Sequence, residues 1–342
     1  MAATGKKRSG AWIWVPFAIA LTLLGAYTAY WYVARGILED SVDQWIDNER
    51  ARGAIVEYTK KRLDGFPFRF TLTVDKPIYG EARGPVWRGQ ELQMTMQPWD
   101  WYHVIARSPG RNTVALEGGE AEDVSLLLGA KSAGSLRWNP EGVIERISLS
   151  LDEASLAMSG DPLGALDDFE FHLRQVPSEP ETLQLETHWQ RVVLEETPPD
   201  EAAFLGREIG PSILRAELEQ GASAYARSGD LLVALRDALN DGGALLVPQV
   251  LLEWGPASLG AKADLSREAG ELRGAASVRI ERADELRAAL ATQGLLTDET
   301  RQAIDALEAA STDGGFFTTS LRGDGVYFLG NKIADLPLED IL

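Results

Sequence analysis

The pattern of hydrophobic and polar positions begins with a long stretch that has no charge at all. Residues 11–34 would form a helix of about 36 Å, enough to cross a bilayer core of about 30 Å. Aromatic residues stand at both ends of this stretch: Trp12, Trp14, Tyr27, Tyr30, Trp31 and Tyr32. Because aromatic rings favour the two membrane interfaces, the pattern predicts a transmembrane anchor over 11–34.

A second helical pattern follows the anchor. Its apolar residues recur at helical spacing, with acids between them: Leu38, Val42, Trp45 and Ile46. We expect a juxtamembrane helix over 35–64 that ends at Asp64 and Gly65, since glycine suits the position just after a helix.

From residue 65 the hydrophobic period becomes two, which predicts strands with one apolar face. The first such faces are formed by Phe68, Phe70, Leu72 and Val74, and by Leu92, Met94 and Met96. Strand blocks are predicted over 65–196 and 247–330, with helices over about 200–242 and 284–310. The turns between strands are too short for crossover helices, so the sheet should be antiparallel.

These elements together predict an α+β protein. A transmembrane helix precedes one elongated, curved and mostly antiparallel β-sheet with interposed helices, and the β-rich domain covers 65–342.

Charge places the ends of the anchor on different sides of a membrane. Lys6, Lys7 and Arg8 precede the apolar stretch, whereas Glu39 and Asp40 follow it. The positive-inside rule therefore predicts a cytoplasmic tail over 1–10 and a body on the far side of the membrane. Two other readings are a cleaved signal peptide, with Ala18–Ala20 as a small-x-small site, and a buried core helix.

The body is strongly acidic. The whole chain has 33 Lys and Arg against 52 Asp and Glu, a net charge of −19, and residues 36–342 alone carry −23. Such a body repels phosphate backbones and anionic headgroups, so we expect no nucleic-acid partner and no electrostatic binding to a membrane surface.

Candidate chemistry is sparse. The chain has no cysteine, which excludes disulfides, thiolate metal sites and cysteine nucleophiles. Its three histidines, His103, His172 and His188, lack the spacing of a zinc motif. We therefore predict no catalytic residue, no metal and no cofactor, and a protein that is not an enzyme.

Several short blocks carry a family resemblance. Gly65–Phe70 reads Gly-Phe-Pro-Phe-Arg-Phe, Trp87–Leu92 and Gln97–Trp99 follow, and Gly325–Gly330 lies near the end. In this order the blocks resemble the uncharacterised bacterial envelope family DUF2125. The resemblance implies a single-pass protein of the bacterial inner membrane with a periplasmic body, and it implies no activity. The architecture also looks loosely like that of AsmA-type proteins, which implies a curved sheet that presents an apolar face to lipid.

The leading functional hypothesis follows from the one-sided strands. An apolar sheet face with few helices to cover it could bind or shield a lipid or another apolar ligand. The residues of this candidate face are Phe66, Phe68, Phe70, Leu72, Val74, Leu92, Met94 and Met96. The alternative is a non-catalytic scaffold or assembly partner of an envelope complex, with its own helices closing the face.

Overall fold

The computed structural model describes residues 12, 14–81, 84–116, 124–200, 202–268, 270–311, 315–323, 325–328 and 331–335. The predicted tail over 1–10 with Lys6, Lys7 and Arg8, the first anchor residue and the end of the chain lie outside the described residues. The described α-helices are α1 (Val15–Ala51), α2 (Gly221–Ser228), α3 (Leu231–Asn240), α4 (Ala283–Thr292) and α5 (Asp298–Ser311).

The described strands form one antiparallel sheet. Its first half contains β1 (Ala54–Glu57), β2 (Lys60–Asp64), β3 (Phe70–Asp75), β4 (Ile78–Glu81), β5 (Val86–Arg88), β6 (Glu91–Gln97), β7 (Asp100–Arg107), β8 (Gly110–Ala115), β9 (Val124–Leu128), β10 (Ala133–Trp138) and β11 (Ile144–Met158). Its second half contains β12 (Asp161–Val176), β13 (Glu179–Trp189), β14 (Arg191–Leu194), β15 (Glu208–Ile209), β16 (Ser212–Leu218), β17 (Ala244–Trp254), β18 (Ala257–Glu268), β19 (Glu271–Ile280), β20 (Phe317–Arg322), β21 (Gly325–Phe328) and β22 (Asn331–Asp335).

The sheet is a meander in which spatial order follows chain order. Several consecutive strands are two parts of one longer strand with an interruption between them. Each such interrupted strand pairs with the next strand along the chain. The interrupted strands are β1/β2, β3/β4, β5/β6, β7/β8, β9/β10, β13/β14 and β15/β16. Strands β17 to β22 continue the same order. The prediction of an α+β fold with a large, mostly antiparallel sheet after an apolar helix is confirmed.

The interruptions of neighbouring strands lie side by side and form a line that we call the crease. It runs through 58–59, 76–77, 89–90, 108–109, 129–132, 152, 168, 190 and 210–211. Lys76 and Asp168 on this line have a φ of +49°, in the left-handed region. A left-handed residue breaks the two-residue alternation, so the crease changes which side chains face a given side of the sheet.

Helices cover two separate parts of the sheet. The second half of α1 packs on β2, β3 and β6 through Trp31 and Ala34, against Leu63, Phe70 and Leu72. Helix α2 packs on β13 and β16, α3 packs on β17 to β20, and α4 and α5 pack on β18 to β20.

Three sequence predictions were wrong in detail. The juxtamembrane helix over 35–64 does not exist as a separate element, because α1 continues without a break from the uncharged stretch to Ala51, and β1 and β2 lie within 54–64. Gly53, with a φ of +92°, ends the helix in a conformation that other residues rarely adopt. The side chain of Arg50 then donates to the carbonyl oxygen of Val56, at 3.0 Å and 2.7 Å.

The predicted strand from Phe68 begins at Phe70 instead, since 66–68 forms the turn between β2 and β3. The predicted helix over about 200–242 is α-helical only from Gly221, because the first part contains a short 3-10 helix (Ala203–Leu205) followed by β15 and β16. The helical segment at 284–310 is present as α4 and α5, with Gly294 between them at a φ of +71°.

Candidate functional site

The second half of α1 presents one apolar stripe to the sheet. Its members recur at helical spacing: Trp31, Ala34, Leu38, Val42, Trp45 and Ile46. The first half has no such packing, and its large side chains are exposed, as at Phe17, Leu21 and Leu23. This helix is long and apolar enough to cross a membrane, which suggests a membrane anchor.

A tightly packed layer lies beneath the middle of α1. Phe70 is 1% exposed. Its ring stacks on the ring of Trp31, with centroids 5.2 Å apart, and packs against the ring of Trp101, with centroids 5.6 Å apart. Leu63 and Leu72 complete this layer. The layer is therefore closed core rather than open surface.

A pocket lies about two to three turns beyond Ala34 along α1, where the helix passes over the crease. It has a volume of about 460 Å³ and is lined almost entirely by apolar side chains. The helix contributes Ser41, Val42, Trp45 and Ile46, and the sheet contributes Val56, Glu57, Tyr58, Lys61, Leu72, Val74, Pro77, Ile78, Tyr79, Trp87, Leu92 and Met94. The size falls within the range of small-molecule sites, which are mostly apolar with a few polar groups.

The crease shapes this pocket. Leu72 and Val74 line it before Lys76, whereas Tyr79 lines it afterwards, so the alternation of side chains shifts by one residue. Tyr79 stacks on Trp45 with ring centroids 5.8 Å apart. Strict alternation along the sequence does not predict that Tyr79 or Trp87 lines the pocket. Pro77 is the signal that could have predicted it, because a proline inside a strand pattern marks a break in the strand.

Polar groups stand at the rim of the pocket. Lys61 pairs with Asp43 of α1, and the hydroxyl of Tyr79 donates to Glu49 Oε2 at 3.2 Å. Burial, followed by the Glu49 carboxylate, raises the pKa of Tyr79 above its usual value. Tyr79 is therefore neutral at pH 7 and holds the end of α1 against β4.

The eight residues of the predicted ligand face occupy three environments. Phe70 is sealed under α1, and Met96 is half-buried opposite it on β6. Leu72, Val74, Leu92 and Met94 line the pocket. Phe66 and Phe68 lie outside the strand in the turn between β2 and β3.

Two of the three histidines meet on the other face of the sheet. The Nε2 atoms of His172 and His188 lie 3.2 Å and 3.7 Å from Glu170 Oε2, and His172 Nδ1 lies 3.0 Å from Ser148 Oγ. His103 lies apart on β7, opposite Arg137. Across the described ranges, no group of three or more His, Asp or Glu side chains is arranged to hold a metal ion.

Comparison with known proteins supports one assignment. No curated protein and no solved structure matches the chain significantly, so the likeness to AsmA-type proteins has no support. The profile of the bacterial family DUF2125, described as an uncharacterized protein conserved in bacteria, matches residues 31–330, from the middle of α1 to just before β22. The chain therefore belongs to the DUF2125 family.

Proposed function

We propose that α1 anchors this protein in the bacterial inner membrane, with the tail over 1–10 in the cytoplasm and the sheet in the periplasm. The basic residues before the span and the acids after it support this orientation. The exposed apolar side chains of the first half of α1 support insertion in lipid, because water would solvate them poorly.

We further propose that the pocket between α1 and the sheet binds a lipid acyl chain or a similar apolar ligand. The observation that carries this proposal is the almost wholly apolar lining contributed by both elements, in which Glu57 and Lys61 are the charged residues. The pocket is open to solvent on one side, where the lining residues Trp45 and Tyr79 are 49% and 41% exposed. An apolar occupant would remove this apolar surface from water, which is favourable. We propose no catalytic step.

The position of the pocket constrains how a lipid could reach it. Ser41 to Ile46 lie about 10 to 18 Å along the helix beyond Ala34, the last residue of the uncharged stretch. The closed layer around Phe70 includes Trp31 and Ala34 at the end of this stretch, and it lies between the pocket and the exposed first half of α1. The ligand is therefore a molecule lifted out of the bilayer, rather than a lipid that merely surrounds the anchor.

Retained lipid tests this proposal. The full chain is purified in detergent, and phospholipid and fatty acid that survive detergent exchange are quantified by mass spectrometry. Leu92→Trp fills the pocket and should remove most of the retained lipid. Leu246→Trp is the matched control, because Leu246 is 37% exposed on β17 between Glu217 and Asp264. Equal lipid in both variants, or none in the unmodified protein, would contradict a ligand-binding pocket.

The second candidate function is a non-catalytic scaffold of an envelope complex. The observation that favours it is the closed packing of Phe70 and Leu72 under α1, together with the cover of the C-terminal strands by α2 to α5. A protein without retained lipid would support this candidate.

A further inference from the structure

Two hairpin turns of the sheet touch the anchor at the level of its aromatic end. The hydroxyl of Tyr27 donates to the carbonyl oxygen of Pro67, in the turn between β2 and β3. The hydroxyl of Tyr30 donates to the carbonyl oxygen of Pro98 at 2.6 Å, in the turn between β6 and β7. We call these turns, 65–69 and 97–99, the hairpin tips.

The tips contact α1 at positions N-terminal to the end of the uncharged stretch, which is the side of the proposed membrane span. Tyr27 and Tyr30 precede Ala34 by about 10 Å and 6 Å along the helix. Side chains of a helix lean toward its N-terminus, so the two hydroxyls lie at least this deep. The headgroup region of one leaflet is about 5 to 8 Å thick, which places both tips at the membrane interface if the anchor spans the bilayer.

The side chains of the tips suit that interface. Phe68 is 70% exposed and Trp99 is 62% exposed, and neither is covered by another described part of the chain. Phe66 lies beside them and stacks on Tyr32 with ring centroids 5.9 Å apart. Exposed aromatic rings at this depth are stabilised by contact with the apolar edge of the bilayer.

The backbone of the tips is also suited to a medium with little water. Pro67 and Pro98 have no N–H group, and their carbonyl oxygens accept the two tyrosine hydroxyls. The amide of Arg69 donates to the carbonyl oxygen of Gly65 at 3.1 Å. Two amide N–H groups of the tips are thus absent and three of their carbonyl oxygens accept hydrogen bonds, which lowers the cost of placing this backbone where water is scarce.

We infer that the hairpin tips insert Phe68 and Trp99 into the outer interface of the membrane that α1 spans. The inference rests on the proposed anchor and is independent of the proposed ligand in the pocket. Two insertion points beside the anchor give three contacts with the membrane, which fix the orientation of the sheet above it.

The absence of cysteine allows single labels to be placed cleanly. Phe68→Cys and Trp99→Cys are each labelled with a polarity-sensitive fluorophore, in the full chain reconstituted in phosphatidylethanolamine and phosphatidylglycerol vesicles. Lipids with a nitroxide near the headgroup then quench the fluorophore. Leu232→Cys on α3 is the matched control, because Leu232 is also 70% exposed. Leu21→Cys, in the anchor, reports on insertion of α1 itself.

We expect both tip labels to be quenched about twofold more strongly than the label at 232, since quenching requires contact with lipid. If the label at 21 is quenched and the tip labels behave like that at 232, the tips do not insert and the inference is wrong. If the label at 21 is not quenched by deeper nitroxides, the anchor itself is wrong.

Discussion

The closed layer beneath α1 predicts that two neighbouring phenylalanines differ sharply in their contribution to stability. Phe70→Ala removes a ring that is 1% exposed and packs on both Trp31 and Trp101. Loss of a buried phenylalanine costs about 3 to 5 kcal/mol in free energy of unfolding, of which each aromatic pair supplies about 0.5 to 1.5 kcal/mol. This is a large share of the stability of a typical domain.

Phe68→Ala is the matched control, because the same residue type lies two positions earlier and is 70% exposed. We expect it to change the free energy of unfolding by about 0.5 kcal/mol or less in detergent. Guanidinium unfolding of the full chain in dodecylmaltoside, followed by tryptophan fluorescence, measures both values. Equal costs at the two positions, or a cost below about 1 kcal/mol at Phe70, would refute the closed layer under α1.

Two further predictions concern the sheet and its helices. The hydrogen bond from Arg215 lowers the pKa of Glu186 below its usual value of 4.5, so this pair stabilises the fold above that pH and its contribution is lost as pH falls below it. Glu186→Gln should therefore lower the free energy of unfolding by about 1 kcal/mol or less at pH 7, because the pair is partly exposed. This cost should shrink steadily as the pH is lowered below 4.5, as measured by urea unfolding across that range. Asp230 caps α3 by accepting hydrogen bonds from the amides of Leu232 and Val233 at 2.8 Å and 3.1 Å. Asp230→Ala should cost about 0.5 to 2 kcal/mol in the same assay, and no loss would contradict the cap.

Local periodicity was enough to predict the N-terminal apolar helix and the antiparallel sheet. The uncharged stretch and the alternation along β3 and β6 each depend on a few consecutive residues. Short turns between successive strands then leave only a meander, which is the topology observed.

Segments whose apolar residues fit both the helical and the strand period could not be assigned in this way. Ile209, Ile213, Leu214 and Leu218 fit a helical stripe, yet they lie in β15 and β16. The choice is made by pairing with β13 and β17, which periodicity does not reveal. The true helices begin only after Gln220, where the backbone turns into the left-handed region.

The candidate site was only partly predictable for a related reason. Leu72 and Met94 were identified from alternation alone, but the helix that covers them was expected to be a separate element. Tyr79 joins the pocket because Lys76 adopts a positive φ, and lysine carries no strong signal for that conformation. The meeting of His172 and His188 depends on the register of β12 and β13, which is a long-range property.

The location of bound lipid tests the central claim most directly. The full chain is reconstituted in vesicles that contain a phospholipid with a photoreactive diazirine at the end of one acyl chain, and cross-linked peptides are identified by mass spectrometry. A ligand-binding pocket predicts cross-links on β6 at Leu92 and Met94, lost in Leu92→Trp and kept in Leu246→Trp. Cross-links confined to the anchor and the hairpin tips would contradict it.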